Sequence, residues 1–191
     1  SMLFVLIVLL LVASVFVLLM KKNRESLCLL GMCCSLMVQF SGILIFIAKK
    51  GGYSRSIINF LFFSQALRNK LQYLFITLDA LGYIIAVGRY LFPLFLLESA
   101  LQYSMIGWIR RHPDIQKWIC VLPAATLAVY FPPVFRFIVN QWPVMHSVLV
   151  EGSYWWITAY VAVALVLMIQ ELFAITMRFC RKQFVGIVGC H

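Results

Sequence analysis

Long apolar runs broken by short basic clusters set the pattern of this chain. Residues 2–20 carry no charge and end at Lys21, Lys22 and Arg24. Residues 27–48 form a second run, closed by Lys49, Lys50 and two glycines that break a helix. Further runs cover residues 82–108, 118–138 and 154–177, each near the ~20 residues needed to cross a bilayer as a helix. The first run has its charges after the apolar stretch and no small-residue cleavage site, the reverse of a signal peptide. The spacing therefore predicts five spans in one transmembrane helical domain, residues 1–191: an all-α, polytopic membrane helix bundle. Gly31, Ser35, Ser41 and Gly42 are small enough to let a neighbouring helix approach the second span closely.

Two stretches fit less simply. Within residues 53–81, Ile57 to Leu67 is too short to span and leads into Arg68, Lys70 and Asp79, which suits an interfacial or re-entrant helix. The apolar run at 184–191 is also too short to cross, and reads as the start of a truncated sixth span. Pro113 turns a compact basic loop at 109–117, and residues 140–152 read as a polar outer loop bordered by Trp142, Tyr154, Trp155 and Trp156.

Composition agrees: 64% of residues are hydrophobic and 12% charged, about half the charged share of a soluble domain. The net charge of +10 sits in the inter-span clusters, which points to topology and anionic lipid headgroups and excludes a nucleic-acid partner. With the N-terminus outside, nine Lys and Arg fall in inner loops and six in outer ones, with Arg89 inside a span. The positive-inside rule favours this arrangement of a multi-pass cell-membrane protein, and counting 53–81 as a crossing would reverse it.

No zinc-protease, nucleophile-elbow or phosphate-loop motif occurs, so no enzymatic activity, metal or cofactor is expected. The six cysteines show no CxxC pair and read as packing residues. The informative side chains are ionisable groups at membrane depth: Arg89, Glu98, Glu171 and, near the outer boundary, Asp79. Each costs several kcal/mol unless it faces the bundle and finds a partner. Nine residues separate Arg89 from Glu98, too far for a direct bond, whereas Glu98 and Glu171 fall at comparable depths, where two carboxylates can share a proton, water or cation. They form a candidate polar switch or ligand contact, with a structural interhelical bond as the other reading. Pro93 lies between Arg89 and Glu98 and frees a backbone carbonyl.

The stretch Gly88-Arg89-Tyr90-Leu91-Phe92-Pro93 through Glu98-Ser99-Ala100-Leu101-Gln102-Tyr103-Ser104, followed by a basic loop, Pro123 and Arg181-Lys182-Gln183, resembles the multi-span input region of bacterial sensor histidine kinases. The resemblance implies a seven-transmembrane-type sensor domain, a homodimer, that relays an extracellular or membrane signal to a cytoplasmic transmitter. Neither a phosphoacceptor helix nor an ATP-binding lobe occurs within residues 1–191. A small hydrophobic or peptide ligand at the aromatic rim fits this expectation. A transporter or permease subunit is the alternative, although the two halves show no inverted repeat.

Overall fold

The computed structural model describes residues 2–20, 22–51, 62, 65–104 and 107–189. These form helices and connections, with no strand among them. In chain order the helices are α1 (Met2–Leu19), α2 (Arg24–Lys50), α3 (Gln65–Gln72), α4 (Leu78–Tyr103), α5 (Gly107–Arg111), α6 (Ile115–Tyr130), α7 (Pro132–Gln141) and α8 (Val144–Val188). Helices α1, α2, α4 and α8 are each long and apolar enough to cross a membrane, and α6 with α7 makes a fifth if that bent pair is one span.

Local chemistry fixes the helix ends. The Asn23 backbone N–H donates to Ser26 Oγ at the start of α2, and Gly51 ends that helix at φ +65°, where a side chain would be strained. Thr77 caps α4 by accepting from the Ala80 N–H, and Asp79 places a negative charge on its first turn. Phe131 precedes two prolines, so it is forced out of the helical region and the chain bends by 75° between α6 and α7.

Helix α4 is the hub and packs against α2, α6 and α8. It approaches α2 most closely where side chains are absent. A Cβ on Gly88 would stand 2.6 Å from the Ser35 carbonyl oxygen, and one on Gly42 would meet the Ile85 side chain at 2.7 Å. On its opposite side, Leu97, Ala100 and Leu101 interlock with Ala164 and Leu167 of α8. A second core joins Leu44 and Ala48 of α2 to Phe62, with Leu3, Ile7 and Leu71 packed around it.

Helix α6 contains Pro123, which has no N–H to offer the carbonyl of Ile119 one turn earlier. The Tyr160 hydroxyl of α8 donates to that carbonyl at 2.8 Å. A backbone acceptor freed inside an apolar bundle is thus satisfied by a neighbouring helix.

Several expectations change in detail. Residues 82–108 are not one element: α4 starts at Leu78 and ends at Tyr103, and α5 is separate. The span at 118–138 is the broken pair α6–α7. The expected outer loop at 140–152 is almost wholly helical, and only Trp142 and Pro143 connect α7 to α8. Pro143 falls in the short connection and Gly152 is carried within α8, so the polarity of the stretch lies on helix faces. The basic cluster at 178–183 does not end the helix, because α8 runs on through Val188 and residues 184–188 do not begin a separate one. At 45 residues α8 is about 66 Å long, more than twice the ~30 Å hydrocarbon thickness.

Of the expected interfacial helix, residues 57–61 lie outside the described residues, and α3 follows as an eight-residue helix packed on α2. The Lys49 ammonium donates to the carbonyls of Leu74 and Ile76. The chain between α2 and α4 therefore begins and ends at the same end of the bundle.

Candidate functional site

Two polar ends of α4 organise the charged residues. At one end Asp79 forms an ion pair with Arg136 of α7. At the other, Glu98 lies 3.8 Å from the Arg24 guanidinium of α2, with the Glu98 side chain 22% exposed. Nineteen residues separate Asp79 from Glu98, about 28 Å of helix, close to the hydrocarbon thickness of a bilayer. The separation of the two carboxylates along α4 thus matches that thickness.

The Glu98 end is a network drawn from three helices. Arg24 also donates to the Gln116 side chain of α6. Gln102, one turn beyond Glu98, donates to Cys28 Sγ at 3.3 Å, and its own carbonyl oxygen is buried without a partner among the described residues. The Tyr103 hydroxyl donates to Glu25 at 3.1 Å. Sequence reasoning found Glu98 here but missed Arg24, Glu25, Cys28, Gln102 and Gln116. The signal was present: Arg24 and Cys28, like Glu98 and Gln102, are polar pairs at i, i+4, and antiparallel helices bring two such pairs face to face.

Sharing between Glu98 and Glu171 is not what the structure brings together. Glu98 takes Arg24, and no ion pair or hydrogen bond joins it to Glu171 among the described residues. Glu171 is half-buried, one turn beyond Leu167 on the α8 face that packs against α4, within electrostatic reach of Tyr103. Arg89 is exposed rather than turned into the bundle. The neighbouring Gly88 is closed in by the Ser35 carbonyl oxygen and by the Gln39 nitrogen and Cβ, which leave no room for a side chain there.

The aromatic rim also divides. Trp142 and Trp155 are 59% and 76% exposed, and Tyr154 is exposed as well. Trp156 instead turns inward, its ring centroid 5.6 Å from Tyr90 and 5.1 Å from Tyr160. Tyr90 continues the contact to Tyr130 at 5.5 Å, Tyr130 stacks on Phe135 at 5.2 Å, and Phe135 reaches His146 at 5.6 Å. Offset and tilted arrangements at these separations are the favourable ones for aromatic pairs. The result is an unbroken file of rings from His146 to Tyr160.

Two hollows open along this file and share Tyr130 in their walls. One, of about 360 Å³, opens between α4, α7 and α8, with Asp79, Tyr83, Phe135, Arg136 and His146 in its wall. The other, of about 320 Å³, is a groove between α6 and α8 walled by Leu122, Val129, Leu149, Ser153 and Trp156. Both fall within the range of small-molecule sites, which are mostly apolar with a few placed polar groups. Among the described residues no set of three His, Cys, Asp or Glu side chains is grouped to hold a metal ion.

No family model, curated protein or solved structure matches this chain. The assignment of a role to the paired hollows therefore rests on their own geometry. The first lies against the opening turns of α4, the helix whose other end carries the Glu98 network, and the second adjoins it through Tyr130.

Proposed function

We propose that the chain is a membrane-embedded sensor or input domain, in which ligand occupancy of the hollows at the Asp79 end is relayed along α4 to the Glu98 network. One observation carries the reading. A single helix contributes Asp79, Gly82 and Tyr83 to the cleft and Glu98, Gln102 and Tyr103 to the opposite cluster. The similarity of residues 88–104 to sensor histidine kinase input regions supports the same reading. So does the positive-inside distribution, which puts the N-terminus and the cleft outside and the Arg24 and Arg178 ends in the cytoplasm. In this proposal the bent α6–α7 pair is the fourth of five crossings.

Cys28 is buried inside the distant cluster and reports on it directly. The full chain is reconstituted in nanodiscs with the other five cysteines replaced by serine, and the alkylation rate of Cys28 by a lipophilic maleimide is compared with that of Asp79→Asn. Coupling predicts a change of at least about fivefold, the lower end of usual coupling between sites. An unchanged rate, with helicity intact by circular dichroism, overturns the proposal.

A further inference from the structure

The two hollows differ in chemistry in a way that specifies an occupant. The α6–α8 groove contains no charged side chain. Of its wall hydroxyls, Thr126 donates to the Leu122 carbonyl at 2.8 Å and Ser153 to the Val150 carbonyl at 2.7 Å; Tyr130 stacks in the ring file, and the buried Trp156 indole N–H has no acceptor among the described residues. Gly152 keeps the groove open, since a Cβ there would meet nothing within 4 Å. One turn beyond the groove the Tyr160–Ile119 bond ties the two helices together. Such a trough suits a hydrocarbon chain.

The adjoining hollow offers charge. Its carboxylate, Asp79, is already held by Arg136 through one guanidinium nitrogen, so a cationic ligand finds no free acid in the described wall. Arg136 keeps spare donors, because its planar fork carries five N–H groups, and His146 adds a ring N–H beside it. Helix α7, which carries Arg136, has no buried residue, leaving that side chain 68% exposed at the mouth.

We infer that the cleft takes an anionic amphiphile from the adjacent leaflet, with its carboxylate or phosphate head on Arg136 and His146 and its acyl chain in the α6–α8 groove. The inference rests on the reading above that these hollows are the ligand site, and it names the class of ligand.

The probes are decanoate, decanol and decyltrimethylammonium, one chain length with three head charges. Each is measured by radiolabel retention on the full chain in phosphatidylcholine nanodiscs, with empty nanodiscs as the blank. Decanoate is expected to bind about tenfold more tightly than the other two, the worth of one charge-assisted hydrogen bond. Arg136→Gln removes the preference for decanoate over decanol, while Gly152→Leu weakens retention of all three probes. Both positions are exposed, and circular dichroism confirms that each variant is folded.

Adding phosphatidylglycerol to the nanodiscs separates the two sources of the head group. Displacement of decanoate assigns the site to a lipid phosphate, and retention assigns it to a free carboxylate. Equal or tighter binding of decyltrimethylammonium, or unaltered retention by Gly152→Leu, overturns the inference. If Asp79→Asn still changes Cys28 reactivity in that event, the sensor reading stands and only the ligand class falls.

Discussion

Replacing Gly88 with alanine adds one methyl group at the tightest approach in the bundle. The new carbon would lie 2.6 Å from the Ser35 carbonyl oxygen and 2.7 Å from the Gln39 backbone nitrogen. Ordinary contact begins near 3.4 Å, so the shortfall is 3.4 − 2.6 = 0.8 Å. Both obstructing atoms are backbone, and no rotamer change relieves them. Helices α2 and α4 must separate locally, and a gap of that size forfeits about a quarter to a half of each dispersion contact beside it. Overpacking of this kind costs about 1–3 kcal/mol. Alanine is the better helix former by roughly 1 kcal/mol, which offsets part of the loss. Gly82→Ala on the same helix isolates that offset, since its Cβ meets nothing within 4 Å. The expected result is a difference of about 1–3 kcal/mol between the two variants, Gly88→Ala being the less stable. The measurement is equilibrium unfolding in mixed dodecylmaltoside–SDS micelles, followed by circular dichroism. If the two variants shift stability equally, the close backbone approach does not hold the bundle together and the packing argument fails.

Two further predictions follow from the same contacts. Tyr160→Phe strips the Ile119 carbonyl of its donor at a cost of about 1–3 kcal/mol, and Pro123→Ala in that background restores most of it by returning a helical N–H. A double-mutant cycle in unfolding that shows no coupling between the two positions would reject this pairing. Cys180 is exposed beside Arg178, Arg181 and Lys182, so with the other cysteines replaced, a membrane-impermeant maleimide is expected to label it in inside-out vesicles only; labelling of intact cells reverses the proposed orientation.

The membrane class and the approximate placement of the helices were legible because apolar runs of spanning length leave few alternatives. Gly31, Ser35 and Gly42 were read as packing residues, and each lies at the α2–α4 contact, where Gly31 meets the Phe95 ring and Ser35 meets Gly88. Residues 140–152 misled because polarity was read as a loop, whereas helix faces accommodate polar groups and α8 carries Gly152 within it. Glu98 was singled out by its expense at membrane depth, but its partner was not. Arg24 lies outside the apolar run, next to a turn, and only the antiparallel pairing of α2 with α4 places it opposite. The hollows were illegible for the same reason: Tyr130 and Phe135 link Tyr90 to His146 because α6 bends into α7, a tertiary consequence of Phe131 preceding two prolines.

Helix α8 contains no proline, unlike α4 and α6, and runs without a break from Val144 to Val188, so a tilt at one end would carry to the other. Lys182 lies about 57 Å along the axis from Val144, and a change in tilt of about 5° at the cleft end swings it sideways by about 5 Å. A ligand that wedges α8 away from α6 by less than the width of a methyl group would thereby move the basic cluster by more than the width of one.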